Sequence, residues 1–320
     1  MTNLGYACIC MSMPGRTTNR TMRKATLDAK GIEYQSQLAL QNVTDLIHIL
    51  EWNRQNKIFF FRMSSDMIPW GNTIDLEKLP DYKKIKEHLR KAGDFAKFHN
   101  MRLTMHPGPF TTLSSPNSNV VENGIKDLEL HGKVMDLMGL SRSPFNKINI
   151  HMGGTHGDKV ACMQRFCQNF GRLSQLVQSR LTVENDDKES LYTVSDLMYL
   201  HNLIRMPIVF DYHHHSCQKD PMSQEDALRI AVATWPNGIR PVVHYSESKA
   251  LHESNSKIKP QAHSDYVNSV PELYGMDVDI MIEAKQKELT LLRIREQINM
   301  CHYSGLRTVE SYEPTEAYII

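Results

Sequence analysis

The chain has 320 residues, 41% of them hydrophobic and 23% charged, with 37 Lys and Arg against 36 Asp and Glu for a net charge of +1. That composition excludes the low-complexity and disordered classes, and the balanced charge excludes a uniformly basic surface, so a polyanionic partner has to be held by a local patch. No apolar run approaches the ~18 residues of a membrane span; the opening MTNLGYACICMSMPG has no basic n-region and does not read as a signal peptide.

Short apolar, β-rich runs are expected as strands at 4–11, 58–63, 102–106, 147–151, 181–184, 207–211, 241–244 and 278–283. Helical stripes lie between them. Val43, Leu46, Ile47 and Leu50 share one face, as do Tyr82, Ile85, Leu89 and Ala96, and again Met163, Phe166, Cys167, Phe170 and Leu173. Thr193 with Asp196 and Ser223 with Asp226 have capping-box spacing at two helix starts. The strands are nearly continuous apolar runs, such as IFFF at 58–61, which is the pattern of a parallel sheet covered on both faces. This succession predicts an α/β chain closed as a (β/α)8 TIM barrel, one domain over 1–320, with an open doubly wound sheet as the runner-up.

Two stretches break the rhythm: 12–42, a long first crossover with Arg16, Arg20, Arg23 and Lys24, and 249–277, a polar loop with Lys249, Lys257 and Lys259. Both follow strand C-terminal ends, where barrels place binding loops, and their cations are candidates for tracking a phosphate backbone. The cysteines form no CxxC pair and read as reduced thiols of an intracellular, soluble chain, cytoplasmic or nuclear.

The strand ends carry the chemistry. Six successive strands, the third to the eighth, finish in His106, His151, Glu184, Asp211, His244 and Glu283. In a barrel these ends meet on one face. His and carboxylate ligands without Cys suit Zn²⁺ or Mn²⁺. With His214 and His263 the set exceeds what one ion needs, so two or three ions are expected, Glu184 bridging. A clustered site of this kind activates water and clamps the oxygens of a displacement at phosphorus, making phosphoester hydrolysis the leading chemistry and metal-dependent sugar isomerisation the competitor. In the triplet His213, His214 and His215, adjacent strand residues point to opposite sides, so His214 is taken as the ligand and the other two as supporting or packing residues.

The same stretches resemble the UV damage endonuclease family, itself related to endonuclease IV. The resemblance runs in order through LGY at 4–6, FRMSSDMIP at 61–69, HPG at 106–108, NIHMGG at 149–154, GDK at 157–159 and VENDD at 183–187. It continues through FDYHHH at 210–215, HYSES at 244–248, AHSDY at 262–266 and DIMIEAK at 279–285. It implies a metal-dependent barrel that nicks damaged double-stranded DNA on the 5′ side of pyrimidine photoproducts, leaving a 3′-hydroxyl and a 5′-phosphate. By that resemblance His106, His151, Glu184, Asp211, His214, His244, His263 and Glu283 are metal ligands. Mn²⁺ is the expected ion, with Zn²⁺ or Mg²⁺ as alternatives. Glu184 and Lys285 are the expected catalytic residues, with Lys285 stabilising the transition-state phosphate. Tyr6, Pro109 and Phe110 are expected to probe the lesion, Phe110 as a wedge into a weakened stack. No membrane and no protein partner are required.

Three departures from the family pattern stand out. Pro109 occupies a place commonly held by Gln, which removes a side-chain hydrogen bond from lesion readout. Val242 stands where some members carry Lys, so neither a metal ligand nor a modified lysine is expected there. Asn72 replaces a His, which weakens one metal site. A non-catalytic DNA-binding relative is the remaining alternative, and the near-complete ligand set speaks against it.

Overall fold

A computed structural model describes residues 2–303 apart from 219 and 254; the end of the expected 1–320 domain, from 304 on, lies outside the described residues. The chain alternates strand and helix almost throughout. It runs β1 (Leu4–Ala7), α1 (Lys24–Gln55), β2 (Phe60–Met63), α2 (Tyr82–Phe98), β3 (Arg102–Met105) and α3 (Ser118–Leu137), then β4 (Ile148–His151), α4 (Lys159–Phe170), α5 (Gln175–Gln178) and β5 (Leu181–Glu184). It continues through α6 (Val194–Ile204), β6 (Ile208–Asp211), α7 (Tyr212–Cys217), α8 (Gln224–Ala233), β7 (Val242–Tyr245), β8 (Asp279–Ile282) and α9 (Lys287–Tyr303). The strands are parallel and close in sequence order, β8 pairing with β1, so the barrel is the architecture and the open sheet is excluded.

All eight expected strands are present; most are shorter than expected, β5 matches at both ends, and β7 is shifted by one residue to end at Tyr245. The first stops at Ala7 rather than 11 because Cys8 takes a left-handed φ of +68°, which ends the extended pairing. The first crossover is also shorter than expected, since α1 starts at Lys24 and is broken at Gly31, where φ is +71° and a glycine is favoured. The loop before it is tied to that helix: Arg16 and Arg20 reach Asp45 of α1 at 2.8 and 2.7 Å. Those two cations are therefore anchors of the loop. Lys249 likewise pairs with Glu253 at 3.0 Å. Thr193 and Asp196 form the full reciprocal capping box, and Ser223 caps α8 by accepting from the Asp226 N–H.

Among the described residues, buried apolar side chains form two clusters. The large one lies between strands and helices and takes in Val43, Leu46 and Leu50 of α1, Ile85 and Leu89 of α2, and Phe166 of α4, all from the expected stripes. The small one, Ala7, Phe60, Val209, Trp235, Val242 and Met281, includes residues two positions before Arg62, Asp211, His244 and Glu283 on their strands, and so fills the barrel interior below them. Beneath that plug Arg102 meets Asp279 at 3.0 Å, both nearly inaccessible, and its remaining N–H groups donate to the carbonyls of Phe145, Arg240 and Pro144. The lower end is thus sealed by a satisfied ion pair, and polar groups above the plug face the upper rim.

Candidate metal centre

Glu184 closes β5 fully buried, and four histidines converge on its two oxygens. Oε2 lies 3.2 Å from His106 Nε2 and 3.7 Å from His151 Nε2, and it accepts from Asn149 Nδ2. Oε1 lies 3.0 Å from His244 Nδ1 and 3.6 Å from His214 Nδ1. Glu184 and the four histidines come from the C-terminal ends of five successive strands, β3 to β7, or from the turns that follow them. Parallel closure brings together groups that are distant in the chain.

Two sets of three have ligand atoms all within 4.8 Å of one another: His106, His151 and Glu184, and Glu184, Asp211 and His244. Glu184 belongs to both. Asp211 Oδ1 accepts the His214 N–H at 2.8 Å, while Asp211 Oδ2 is buried with no hydrogen-bond partner. A buried acceptor without a donor is costly unless a cation meets it, so the donor set fits divalent ions with oxygen and imidazole ligands. Glu283 sits at the edge of the second set, its Oε1 3.0 Å from His244 Nδ1 and also held by the Arg62 guanidinium.

The titration behaviour follows from this crowding. Burial raises the Glu184 carboxyl, but His244, His151 and His106 outweigh it and hold the group well below the usual carboxylate range. Glu283 is held low in the same sense: burial opposes it, and Arg62 and His244 prevail. Asp211 goes the other way, pushed up to about 6 by burial and by the neighbouring carboxylates. His106 is pushed down to about 4, chiefly by burial. His214 rises to about 9, because Asp211 and Glu184 overcome the burial penalty.

The other expected site residues divide. His214 reaches the cluster, but the triplet is helical rather than extended: Asp211 caps α7, His215 packs its ring 5.3 Å from Phe210, and buried His213 lies 5.1 Å from His263. His263 flanks the centre on the loop after β7, its Nδ1 2.7 Å from Ser246 Oγ and its ring 6.4 Å from His214. Lys285 is exposed, its backbone N–H donating to Ser264, and it makes no ion pair with a cluster carboxylate among the described residues. Phe110 and Pro109 are exposed on the loop after β3, Phe110 at 90%.

Tyr6 corrects the expectation of a lesion probe. It is fully buried on the outer side of β1, packed 5.0 Å from Phe61, and its hydroxyl donates to Asn53 of α1 at 2.7 Å. Its neighbour Gly5 faces inward, so Tyr6 points into the helix layer and away from any groove.

Sequence reasoning missed several residues that touch the clustered histidines and carboxylates. Asp186 Oδ1 lies 3.0 Å from His151 Nδ1, and Arg62 holds Glu283. Asn149 donates to Glu184, and Lys147 Nζ lies 3.1 Å from His244 Nε2. Asn149 and Lys147 stand two and four positions before His151. Counting strand residues by twos from that ligand would have marked both as inward-facing.

Residues 2–313 match the model of the family described as UV-endonuclease UvdE. The UV-damage endonuclease of Schizosaccharomyces pombe is 38% identical over 91% of this chain, which spans half of that protein's length. The UV DNA damage endonuclease of Bacillus mycoides is 31% identical over 93% of this chain and 92% of its own. Among solved structures, SacUVDE superposes with a TM-score of 0.82 at 30% identity, covering 94% of this chain and 99% of that one. Endonuclease IV from Thermus thermophilus gives 0.55 at 13% identity, with 93% and 99% covered, a likeness of fold alone. Strand-end histidines and carboxylates and a match along nearly the whole chain thus agree: the chain belongs to the UV-endonuclease UvdE family.

Proposed function

We propose that the chain is a metal-dependent DNA repair endonuclease that nicks double-stranded DNA 5′ to UV photoproducts, leaving a 3′-hydroxyl and a 5′-phosphate. The observation that carries the reading is the position of Glu184, shared between two sets of ligand atoms at the ends of β3 to β7. His106, His151 and Glu184 would hold one divalent ion, and Glu184, Asp211 and His244 a second, with His214, His263 and Glu283 as further ligands around them. Mn²⁺ is the ion of choice, Zn²⁺ or Mg²⁺ the alternatives. Bound ions of this kind lower the pKa of water and neutralise charge on a phosphodiester.

The chain's own residues set the rest. Asn149 and His106 fix the Glu184 carboxylate from two directions, so its oxygens are oriented before any ion arrives. Arg62 keeps Glu283 ionised and in place beside His244. Asp186 turns His151 so that Nε2 faces Glu184. On the rim Phe110 offers an aromatic ring to solvent, the side chain suited to enter a base stack already weakened by a photoproduct. Among the described residues no helix is long and apolar enough to cross a membrane.

A nicking assay tests the reading. Mn²⁺-loaded protein is expected to cut a duplex carrying one cyclobutane dimer on its 5′ side, to leave an undamaged duplex intact, and to stop on adding EDTA. Failure to cut either duplex would remove the DNA substrate. The sugar-isomerase alternative has no observation in its favour, since the epimerases that share the barrel do so at about 10% identity.

A further inference from the structure

Lys147 stands immediately before β4 and is fully buried inside the barrel. A buried amine costs several kcal/mol unless a partner compensates it, and among the described residues no carboxylate comes within ion-pair distance of Nζ. Glu184 and Glu283 act on it only from farther away. Its polar contact is His244, on β7 across the barrel, whose Nε2 lies 3.1 Å from Nζ. On the β7 side the interior below that contact is apolar: Val242, two positions before His244 on the same inward face, packs with Ala7, Phe60, Val209 and Met281.

His244 also differs from His106 and His151 in the atom it presents, as His214 does, whose Nδ1 likewise faces Glu184. His106 and His151 turn Nε2 toward Glu184, whereas His244 turns Nδ1, 3.0 Å from both Glu184 and Glu283. A ring that binds through Nδ1 sends Nε2 down into the barrel, where the apolar plug offers it nothing. Rotating the ring by half a turn about Cβ–Cγ would replace Nδ1 with a carbon and forfeit the ligand. Something has to distinguish the two orientations.

We propose that Lys147 is a positioning residue of the metal centre: it holds His244 Nε2 against Nζ and thereby presents Nδ1 to the ion shared with Glu184 and Asp211. The inference rests on the metal-centre reading above. Metal-binding histidines are generally oriented by a partner on the second ring nitrogen, and losing that partner typically weakens metal binding by about 10–100-fold. Here the partner is an amine from the opposite strand rather than a carboxylate or a carbonyl.

The test is a Mn²⁺ titration followed by electron paramagnetic resonance on the full chain, the wild type beside K147M and K147Q, with the melting temperature of each EDTA-stripped protein measured in parallel. The expected result is two bound ions in the wild type. In K147M one ion should bind about 10–100-fold more weakly and the other unchanged, with no fall in the stripped melting temperature, since Met fills the space without a buried amine. K147Q, whose amide can still meet Nε2, should lie between them, and it carries the test if K147M does not fold. Wild-type affinity for both ions in whichever variant folds overturns the inference alone. A wild type that binds no Mn²⁺ overturns the metal-centre reading and the inference with it.

Discussion

Glu184 Oε1 lies 3.0 Å from His244 Nδ1, although 60 residues separate the two in the chain. The other oxygen of the same carboxylate is 3.2 Å from His106 Nε2. One buried group thus joins two halves of the ligand set. Glu184→Gln keeps the shape and removes the charge, so nicking is expected to fall by about a thousandfold, equivalent to several kcal/mol of transition-state stabilisation. Affinity for damaged duplex should stay within a few-fold, because the rim is untouched. Incision rates and a gel-shift titration on one preparation check this; full activity would show that Glu184 does not bridge.

Phe110 is 90% exposed, so replacing it disturbs little packing. Phe110→Ala should leave the melting temperature unchanged and reduce discrimination between dimer-containing and undamaged duplex. A base–aromatic stack is worth about 1–3 kcal/mol, or roughly 5- to 150-fold. Competition between the two duplexes measures it directly. Tyr6→Phe makes the contrasting case: it deletes the hydrogen bond to Asn53 and should lower stability by about 1 kcal/mol without changing lesion preference.

Metal binding should depend on pH with a definite sign. His214 is raised to about 9 and Asp211 to about 6 in the metal-free protein. A group whose folded pKa is raised contributes stability that is full below its unfolded pKa and is lost as pH rises through the folded one. The stripped protein therefore loses the Asp211 contribution between about 4 and 6 and the His214 contribution between about 6.5 and 9. Ions compete with those same protons, so Mn²⁺ affinity rises over the same range. The gap in melting temperature between loaded and stripped protein is expected to widen from pH 6 to pH 9. Calorimetric titrations in buffers of different ionisation enthalpy should show proton release at pH 7.5. A gap that narrowed with pH would contradict the assignment of His214 and Asp211 as ligands.

Arg102 and Asp279 seal the lower end of the barrel, far down the interior from the Glu184 cluster. Asp279→Asn leaves a buried guanidinium without its counter-charge, at a cost of about 3–5 kcal/mol. Denaturant unfolding should show that loss, while incision per folded molecule stays at the wild-type level. Equal loss of stability and specific activity would mean that the pair also shapes the site above it.

The fold was legible in the sequence because each strand end carried its own mark. Continuous apolar runs gave the parallel sheet, and the His, Asp and Glu that closed six of them gave the face on which ligands meet. Cys8 and the α1 start at Lys24 were less legible, since a left-handed residue and a helix beginning in a polar, basic stretch leave no periodic signal. At the site, the residues with a ligand's chemistry were readable and the ones that orient them were not. Asp186, Asn149, Arg62 and Lys147 look like ordinary polar residues until the barrel turns them inward. Tyr6 was misplaced because a motif fixes a position in the chain and not the face of the strand on which it falls.

Anomalous diffraction from crystals of the protein grown with Mn²⁺ tests most directly whether Glu184 sits between two divalent ions. Two strong peaks are expected, one bounded by His106, His151 and Glu184 and the other by Glu184, Asp211 and His244. A map with no peak within coordination distance of Glu184 would contradict the bridging role on which the proposed chemistry depends.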